Sequence, residues 1–490
     1  MEQNREVEEA PLDNMDIIEL HNELQTEQLK IPEAERELKI DVLYVDIDLK
    51  PKDYWKGLGD SFIDESTWKL RIQKCAKRII HAACFRESTL AWVNRGGGAL
   101  MQFIGYYLSI YHLCVAILSM DYKTEVDIDV TDHNFIAKRM RQSFIKEGGF
   151  TGLKTLVKDF KILMLLRNKS NYDLPRYERF SEDLFPSSML SIFEYCINFF
   201  KTLSDYMSIR FSRNQLSFIL WEELLQQIQE YIKDVPNENR QQVTNFLVNQ
   251  NLLGQIQSNP TGEIEKELKF TKVEFDLTQS YIKNLVEMEN EIVERKIIDE
   301  EEFSVFSKEW KKRINKCAFK LLQAILYREC AQTLYKETHN KILPIIGFYY
   351  ALYNITFAIL SLEKATTLSR LDNLNHSDLI RRVGGIFPFN IENVPYQNDL
   401  KTLFEMRNQV IYEFPANIKI EKCYDIIGYI FDFAWDYINK IDRVIYRKYN
   451  LLLKEEINVE LKKKINTGYV KDYISNIVLV NIITYINTFA

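Results

Sequence analysis

Two stretches of the chain decide its fold: WKLRIQKCAKRIIHAACFRE at residues 68–87 and WKKRINKCAFKLLQAILYRE at residues 310–329. They are identical at ten of twenty positions, and they are separated by 310 − 68 = 242 residues. At the same offset, IGYYLSIYHLCVAILSM (104–120) matches IGFYYALYNITFAILSL (346–362) at eight of seventeen positions. Agreement at this level, repeated without a gap, indicates an internal tandem duplication.

The correspondence continues toward the end of each copy. HNFIAKR (133–139) matches HSDLIRR (376–382), and RNKSNYDLP (167–175) matches RNQVIYEFP (407–415). Each copy therefore carries the same Arg-Asn-x-x-x-Tyr motif. The segments that lead into the two copies are also alike and predict short accessory strands at 37–49 and 267–279.

Hydrophobic residues in the first matched block recur at the three- and four-residue spacing of one helix face. The second block is apolar nearly all round, which is typical of the central helix of a bundle. Both blocks are therefore predicted to be core helices. The predicted core positions of the first block are Ile72, Cys75, Ala76, Ile79, Ile80 and Ala83, with Ile314, Cys317, Ala318, Leu321, Leu322 and Ile325 in the second copy.

Three more helices are predicted in each copy. The third opens at His133 or His376, with Asp132 or Asn375 as its N-cap. The fourth carries the Arg-Asn motif and ends shortly before a proline, because proline cannot continue a helix. The fifth spans 187–203 and 420–441. The predicted fold class is mainly α: two tandem, internally duplicated up-down helical bundles with short accessory strands and a helical connector.

The domain boundaries follow from these helices and from changes in composition. The predicted parts are an acidic, partly disordered N-terminal segment (1–36), a first bundle (37–205), a helical connector (206–266), a second bundle (267–450) and a C-terminal extension (451–490). The apolar stretch 474–490 is interrupted by asparagines and is predicted to be a buried terminal helix or strand rather than a membrane span.

Composition narrows the class of protein. The chain has 490 residues, of which 46% are hydrophobic and 27% charged, as in soluble globular proteins. The formal net charge of −7 argues against broad binding to duplex DNA. The seven cysteines include no C-x-x-C pair and are predicted to be reduced core residues of a cytoplasmic protein. No motif for a metal ion, a cofactor or a membrane anchor is present, and none of the three is expected.

Basic residues flank the apolar face of the first block. They are predicted to form a solvated edge, with a phosphate-facing patch as the alternative. These residues are Arg71, Lys74 and Arg78 in the first copy and Arg313, Lys316 and Lys320 in the second. Two histidines of the first copy, His81 and His112, align with Gln323 and Asn354, so they are predicted to be interior or edge residues rather than a shared catalytic group.

The order of these pieces resembles the HEPN superfamily: a central aromatic-rich apolar helix, a His that opens the next helix, and R-N-x-x-x-Y before a closing helix. The resemblance covers residues 68–203 and 310–441. It implies a four- or five-helix bundle that pairs with a second copy, so that two Arg-containing motifs face each other in a cleft. In ribonuclease members an Arg followed after four to six residues by a His cleaves RNA without a metal ion.

Carried over by position, Arg167 takes the Arg place of the family motif, Asn168 the polar place after it, and Tyr172 the place of the His. The second copy supplies Arg407, Asn408 and Tyr412. A Tyr with an ordinary pKa near 10 is a poor general base at neutral pH, whereas a His near 6.5 suits the task. The Arg and Tyr residues are candidate catalytic groups, and the Asn residues are candidate substrate-binding groups.

His133 and His376 correspond between the copies, and two roles remain open for them. They help to start the third helix, or they supply the imidazole that the motif lacks, which makes them candidate substrate-binding residues.

The motif residues Arg167 and Arg407 have two open roles as well. They bind phosphate through the guanidinium fork, or they cap the fourth helix and bridge to an acidic residue while the tyrosines pack at the core edge.

Two functions are therefore expected as alternatives. The first is a HEPN-like RNA- or nucleotide-binding protein of prokaryotic defence or toxin–antitoxin type, with metal-independent ribonuclease activity in a composite cleft as its catalytic form. The second is a catalytically inactive interaction module that binds a partner protein or forms a homo-oligomer. The association with defence comes from the resemblance alone.

Overall fold

The structure is a computed structural model of the 490-residue chain. It describes residues 65–95, 97–125, 133–146, 193–202, 220–253, 300–363, 366–372, 374–386, 396–413, 420–449 and 452–466, together with helical positions 156–157, 160–161, 163–164, 167–168, 478, 482–483 and 486. The described residues are almost all helical and contain no strand, so the mainly-α fold class is confirmed. The predicted strands at 37–49 and 267–279 lie outside the described residues.

The first half of the chain forms helices at the predicted blocks. They are α1 (Glu65–Val93), α2 (Ala99–Ser119), α3 (His133–Met140), α4 (Leu220–Tyr231) and α5 (Asn237–Asn249). A π-helix, Arg141–Lys146, continues α3 directly. The described positions between 156 and 168, which include Arg167, are helical as well.

The second half of the chain also forms helices at the predicted blocks. They are α6 (Glu300–Thr338), α7 (Ile342–Leu362), α8 (Leu368–Asp372), α9 (His376–Ile386), α10 (Tyr396–Tyr412), α11 (Ile420–Tyr449) and α12 (Leu453–Asn466). Helix α9 begins where the sequence predicts it, because the side-chain Oδ1 of Asn375 accepts a hydrogen bond from the backbone N–H of Asp378 at 2.7 Å. The equivalent predicted cap, Asp132, lies outside the described residues.

Backbone contacts divide the chain into two compact units. The first takes in residues 1–94 and 101–254, and the second residues 95–100 and 255–490. Helices α4 and α5, which belong to the predicted connector, pack against α1 within the first unit. In the second unit α6 packs along α7, which also contacts α10 and α11.

The central helices α2 and α7 form the core of their units. Every residue of α7 is buried, and the large aromatic side chains of α2 are buried as well. Both helices are long and apolar enough to cross a bilayer, and the whole apolar window of each is buried inside the structure. Core helices of soluble proteins have the same length and composition, so this property assigns neither helix to a membrane.

The expectation that the basic residues beside the first block form a solvated edge is wrong for Arg71 and Arg313. Their exposed fractions are 4% and 3%. Arg71 donates from Nη1 to the carbonyls of Ser119 and Asp121 at 3.0 and 2.9 Å, and from Nη2 to the carbonyl of Thr124 at 2.5 Å. Carbonyls at the end of a helix have no partner within that helix, and the guanidinium satisfies them here.

The second unit repeats this arginine clamp at an offset of 242 residues. Arg313 donates from Nη1 to the carbonyls of Ser361 and Glu363, and from Nη2 to that of Thr366, at 3.0 to 3.2 Å. Each guanidinium therefore fixes the end of the central helix and the turn after it. Lys320 is also buried, at 5% exposed, whereas Lys74, Arg78 and Lys316 are partly exposed.

All seven cysteines are buried thiols outside any disulfide, which confirms their prediction as reduced core residues. Burial raises the pKa of each thiol for which a shift is resolved, and that of Cys423 rises to about 12.

Within the predicted terminal segment, positions 478, 482 and 486 are helical, and all three side chains are buried.

Candidate functional site

In the second unit the motif arginine is part of the buried stripe of α10. Leu400, Leu403, Arg407 and Val410 follow the three- and four-residue spacing of one face, and all four are buried. A charged residue at such a position needs partners, because burial of an unpaired charge is costly. Arg407 is 4% exposed, and its packing against α7 supplies aromatic rings in place of water.

The guanidinium of Arg407 lies over two tyrosines of α7. Its Cζ is 5.6 Å from the ring centre of Tyr349 and 5.9 Å from that of Tyr350. Such cation–π contacts are stronger when water is excluded. The Nη1 of Arg407 also donates to Oδ1 of Asn408 at 2.9 Å. The Asn that follows the Arg in the motif therefore orients the guanidinium.

The histidine that opens α9 lies at the same tyrosine. The ring centre of His376 is 5.4 Å from that of Tyr349 and 4.7 Å from that of Tyr353. The Tyr349 hydroxyl and Nδ1 of His376 form a hydrogen bond. His376 is 8% exposed. Two motifs that are 31 residues apart in sequence, 407 − 376, thus meet at one aromatic ring.

The first unit has the same arrangement. Cζ of Arg167 lies 5.0 Å from the ring centre of Tyr107, the counterpart of Tyr349 at the offset of 242. The His133 ring lies 5.4 Å from Tyr107 and 4.8 Å from Tyr111. Arg167 and His133 are 6% and 7% exposed. We call each set the Arg–Tyr–His cluster: Arg167, Tyr107 and His133 in the first unit, and Arg407, Tyr349 and His376 in the second.

The motif tyrosine does not share the buried face of the motif arginine. Helix α10 runs without a break through Tyr412, so this residue lies about 140° from Arg407 around the helix axis and is partly exposed. Asn168 and Asn408 are partly exposed as well. Tyr172 lies outside the described residues. The tyrosines that do contact the arginines come from the central helix.

These central tyrosines were missed as site residues because the apolar central helix predicts core positions. The signal that could have found them is their place in the repeat. Tyr107 and Tyr349 are identical and align at the offset of 242, as do Tyr111 and Tyr353. An aromatic residue that is identical in both copies, on a helix that must pack against the Arg motif, is a candidate partner for that Arg.

A repeated Arg–Glu ion pair was also not predicted from the sequence. Arg86 and Glu87 end the first matched block, and Arg86 is 8% exposed. The two side chains form an ion pair, and Cζ of Arg86 lies 4.2 Å from the ring centre of Phe246. Burial raises the pKa of the Glu87 carboxyl, and the guanidinium of Arg86 partly offsets that shift.

The second unit repeats this pair at Arg328 and Glu329, whose Nη2 and Oε1 are 2.7 Å apart. Here Cζ of Arg328 lies 4.5 Å from the ring centre of Phe431. Each pair fixes an Arg on an aromatic ring of another helix, which is a packing role.

A different carboxyl, Asp399 in the first turn of α10, is 9% exposed. Burial raises the pKa of Asp399 to about 6, and the nearby Lys422 opposes this shift.

His81 and His112 are fully buried, as the sequence predicts for interior residues. Their ring centres are 4.8 Å apart, and Nη1 of Arg78 lies 3.3 Å from Nδ1 of His112. Burial lowers the pKa of His81 well below its ordinary value, and the neighbouring His112 and Arg78 lower it further. The pair belongs to the interface between α1 and α2, apart from the Arg–Tyr–His cluster.

In the second unit the positions of His81 and His112 hold the neutral amides Gln323 and Asn354. The Nζ of Lys320, the counterpart of Arg78, donates to Oε1 of Gln323 at 2.7 Å and to Oδ1 of Asn354 at 3.2 Å. One polar cluster between the first two helices of a unit is thus built from imidazoles in one copy and from amides in the other.

Comparison of the chain with protein-family models, with curated proteins and with solved structures gives no match in any of the three.

Proposed function

We propose that the chain is a HEPN-like RNA- or nucleotide-binding protein of the prokaryotic defence or toxin type, and that each Arg–Tyr–His cluster is its phosphate-recognition site. One observation carries the proposal. In both units an Arg and a His from separate helices converge on one tyrosine of the central helix, Tyr107 or Tyr349. The site is complete within each unit.

The chemistry of these groups fits a phosphodiester. A guanidinium presents a planar fork of donors that matches two phosphate oxygens, and a flat guanidinium can stack on an aromatic ring while its N–H groups donate in the plane. Asn408 fixes the plane of Arg407 through its Oδ1. In this proposal the tyrosine and the asparagine hold the Arg in position, and the Arg binds the phosphate.

The imidazole of His133 or His376 takes the acid–base role that the motif tyrosines cannot perform at neutral pH. Cleavage of RNA without a metal forms the bond from the 2′-oxygen to phosphorus and breaks the bond to the 5′-oxygen. It needs one proton-transfer group, which accepts the 2′-hydroxyl proton and returns it to the leaving 5′-oxygen, and one cation that stabilises the charged phosphate. The cluster supplies one of each. This supports the ribonuclease form of the proposal, with His133 and His376 in place of Tyr172 and Tyr412 as proton-transfer groups.

Helix α3 carries a further feature that suits RNA. His133 at its first position belongs to the cluster, while Asn134, Phe135 and Lys138 on its other side are exposed, as is Arg141 at the start of the π-helix that follows. Phe135 is 43% exposed, which is unusual for a large aromatic side chain. An exposed ring beside cations is the combination on which single-stranded nucleic acids stack and pair their phosphates.

A second candidate function, the catalytically inactive interaction module, is favoured by the burial of the two motif arginines. With 6% and 4% of their surface exposed, Arg167 and Arg407 offer a ligand little area unless the neighbouring chain moves. In this function the cation–π contact of each Arg stabilises the bundle, and the exposed surfaces bind a protein.

One assay separates the two functions. Wild-type protein and an Arg167→Ala/Arg407→Ala variant are incubated with single-stranded and structured RNAs in EDTA, and both cleavage and retention of RNA are measured. The proposal expects RNA or nucleotide binding by the wild type that the variant loses, with cleavage if the ribonuclease form holds. A wild type that neither cleaves nor binds RNA or nucleotide would reject the proposal in favour of the interaction module.

A second variant pair tests the role given to the imidazoles. His133→Asn/His376→Asn keeps a polar side chain of similar reach but cannot transfer a proton, so it should bind RNA and lose cleavage. Lys401→Glu, on the exposed side of α10 beside Glu405, is the matched surface control and should leave both readings unchanged. Equal cleavage by the His variant and the wild type would exclude the imidazoles as proton-transfer groups.

A further inference from the structure

Helix α12 has one face toward the core and another that is open. Leu453, Ile457 and Leu461 are fully buried where α12 packs on α6. Leu452 and Val459, seven residues apart, are 45% and 58% exposed. Residues at this spacing lie on the same face of a helix. The open side therefore carries two exposed aliphatic side chains, Val459 within α12 and Leu452 at the residue that precedes it.

This face lines a surface cleft of about 650 Å³ between α6 and α12. Ile314 of α6 forms part of its apolar lining, and Lys311 and Asn315 lie beside it on the same helix. On the other side, Leu452 and Val459 are the aliphatic residues, and the charged groups beside them are Glu455, Glu456, Glu460 and Lys463. The cleft thus combines apolar surface with a charged rim, as protein-binding surfaces do.

Most charges along α12 are segregated by sign; the exceptions are Lys454 in the first turn and Glu460, which pairs with Lys463 at 3.6 Å. Glu455 and Glu456 lie in the first turn, and Lys463 and Lys464 in the last, with Lys462 before them. This arrangement also complements the helix dipole, so charge order alone does not indicate a partner. The dipole gives no reason for an exposed Val459 midway between the two charged ends.

We propose that a second copy of this chain docks on this face, with α12 of one subunit antiparallel to α12 of the other. On the open face, Glu455 and Lys462 lie to one side of Val459, and Glu456 and Lys463 lie to the other. If Val459 lies on the two-fold axis, Glu455 faces Lys462 of the partner subunit and Glu456 faces Lys463 of the partner subunit. The open face is therefore complementary to itself in the antiparallel direction.

A parallel arrangement would place glutamates against glutamates and lysines against lysines. The antiparallel one gives the isologous contact of a two-fold dimer, in which both subunits use the same patch. One helix face and its cleft lie at the small end of protein interfaces, so the dimer forms at high protein concentration and weakens as salt screens its exposed ion pairs.

The test is the association constant of the full chain by analytical ultracentrifugation at low and high salt. Glu455→Lys/Glu456→Lys and Lys462→Glu/Lys463→Glu each place like charges across the axis, and each should weaken self-association at least about tenfold. An equimolar mixture of the two variants should restore association, because at positions 455, 456, 462 and 463 one variant has four lysines and the other has four glutamates. Lys401→Glu on α10 is the matched charge control and should associate like the wild type.

Hydrogen exchange of α12 in each variant is the check that the helix is still folded. A wild type that stays monomeric up to about 100 µM, or charge variants that associate as the wild type does, would overturn the proposal. Failure of the mixture to recover association while α12 remains protected would also overturn it, since that result assigns the face to another partner.

Discussion

The guanidinium of Arg407 lies over the ring of Tyr349, with 5.6 Å between Cζ and the ring centre, and the hydroxyl of the same tyrosine is hydrogen-bonded to His376. A single tyrosine of the central helix therefore joins the two motifs of its unit. Tyr107 has the same position between Arg167 and His133. The proposed function depends on this arrangement, and the predictions below test it together with the fold that supports it.

The exposed face of α3 and of the π-helix that continues it should contribute to RNA affinity through its cations. Lys138→Glu/Arg141→Glu is expected to weaken binding of single-stranded RNA at least about tenfold. It should also reduce the slope of log affinity against log salt by about one to two, because a variant with fewer cations on the RNA displaces fewer counterions from the phosphates. Filter binding across a salt series measures both quantities. Lys401→Glu in α10 is the control, since this lysine lies on an exposed side of its helix beside Glu405. An equal loss in the control would argue against a role specific to α3.

The arginine clamps should stabilise their units. Arg71→Ala removes three hydrogen bonds to carbonyls of a turn and is expected to cost about 2 to 4 kcal/mol in the first unit. Hydrogen exchange should then increase at residues 119–124 while 361–366 keep their protection, and Arg313→Ala should give the reverse pattern. Lys69→Ala, which breaks the exposed ion pair with Glu65, should change stability by less than about 0.5 kcal/mol.

Two glycines should respond oppositely to alanine. A Cβ at Gly105 would lie 1.8 Å from Oγ1 of Thr89, so Gly105→Ala forces α1 and α2 apart and is expected to cost about 1 to 3 kcal/mol. A Cβ at Gly428, in the exposed middle of α11, meets nothing within 4 Å. Gly428→Ala should therefore stabilise the protein by about 0.5 to 1 kcal/mol through helix propensity. Urea denaturation of both variants measures these signs, and a stable Gly105→Ala variant would contradict the close approach.

The buried histidine pair should make the first unit more sensitive to acid than the second. The folded-state pKa of His81 is lowered, so the unfolded chain binds a proton that the folded chain does not. The stability from a neutral His81 is present above the unfolded pKa near 6.5 and is lost as the pH falls through that value toward the folded pKa. Among the described residues, the charges near the pair offer no compensation, since Lys77 and Arg78 are cations and α2 has no acidic residue.

Hydrogen exchange at pH 7 and pH 5 measures this difference between the units. We expect α1 and α2 to lose protection at pH 5 to a greater extent than α6 and α7. His81→Gln/His112→Asn gives the first unit the side chains of Gln323 and Asn354, and it should remove the excess loss. If the variant loses as much protection as the wild type, another group causes the acid sensitivity.

Local pattern was sufficient for the helices and their buried faces. Ile72 and Cys75 are fully buried, as their spacing predicts, because helix periodicity and burial are both set within a few turns. The start of α9 at His376 also followed from one capping residue. These features depend on neighbours in sequence, which the repeat displays twice.

Features that depend on contacts between helices were not predictable. Arg71 lies on the edge of its helix by spacing, but its partners are carbonyls 48 to 53 residues later in the chain, and no local pattern identifies them. The Arg–Tyr–His cluster is of the same kind. The sequence predicts its Arg and His as candidates, whereas the tyrosine that joins them is one of several aromatic residues on an apolar helix.

The most direct test of the proposed function is the affinity for single-stranded RNA of Arg167→Lys/Arg407→Lys against the wild type, with thermal unfolding as the check on folding. Lysine keeps the positive charge but loses the planar fork and its stacking on tyrosine. If the cluster recognises phosphate, the wild type binds and the variant binds at least about tenfold more weakly with its fold intact. Equal affinity of the two proteins, or no binding of RNA by the wild type, would contradict the account.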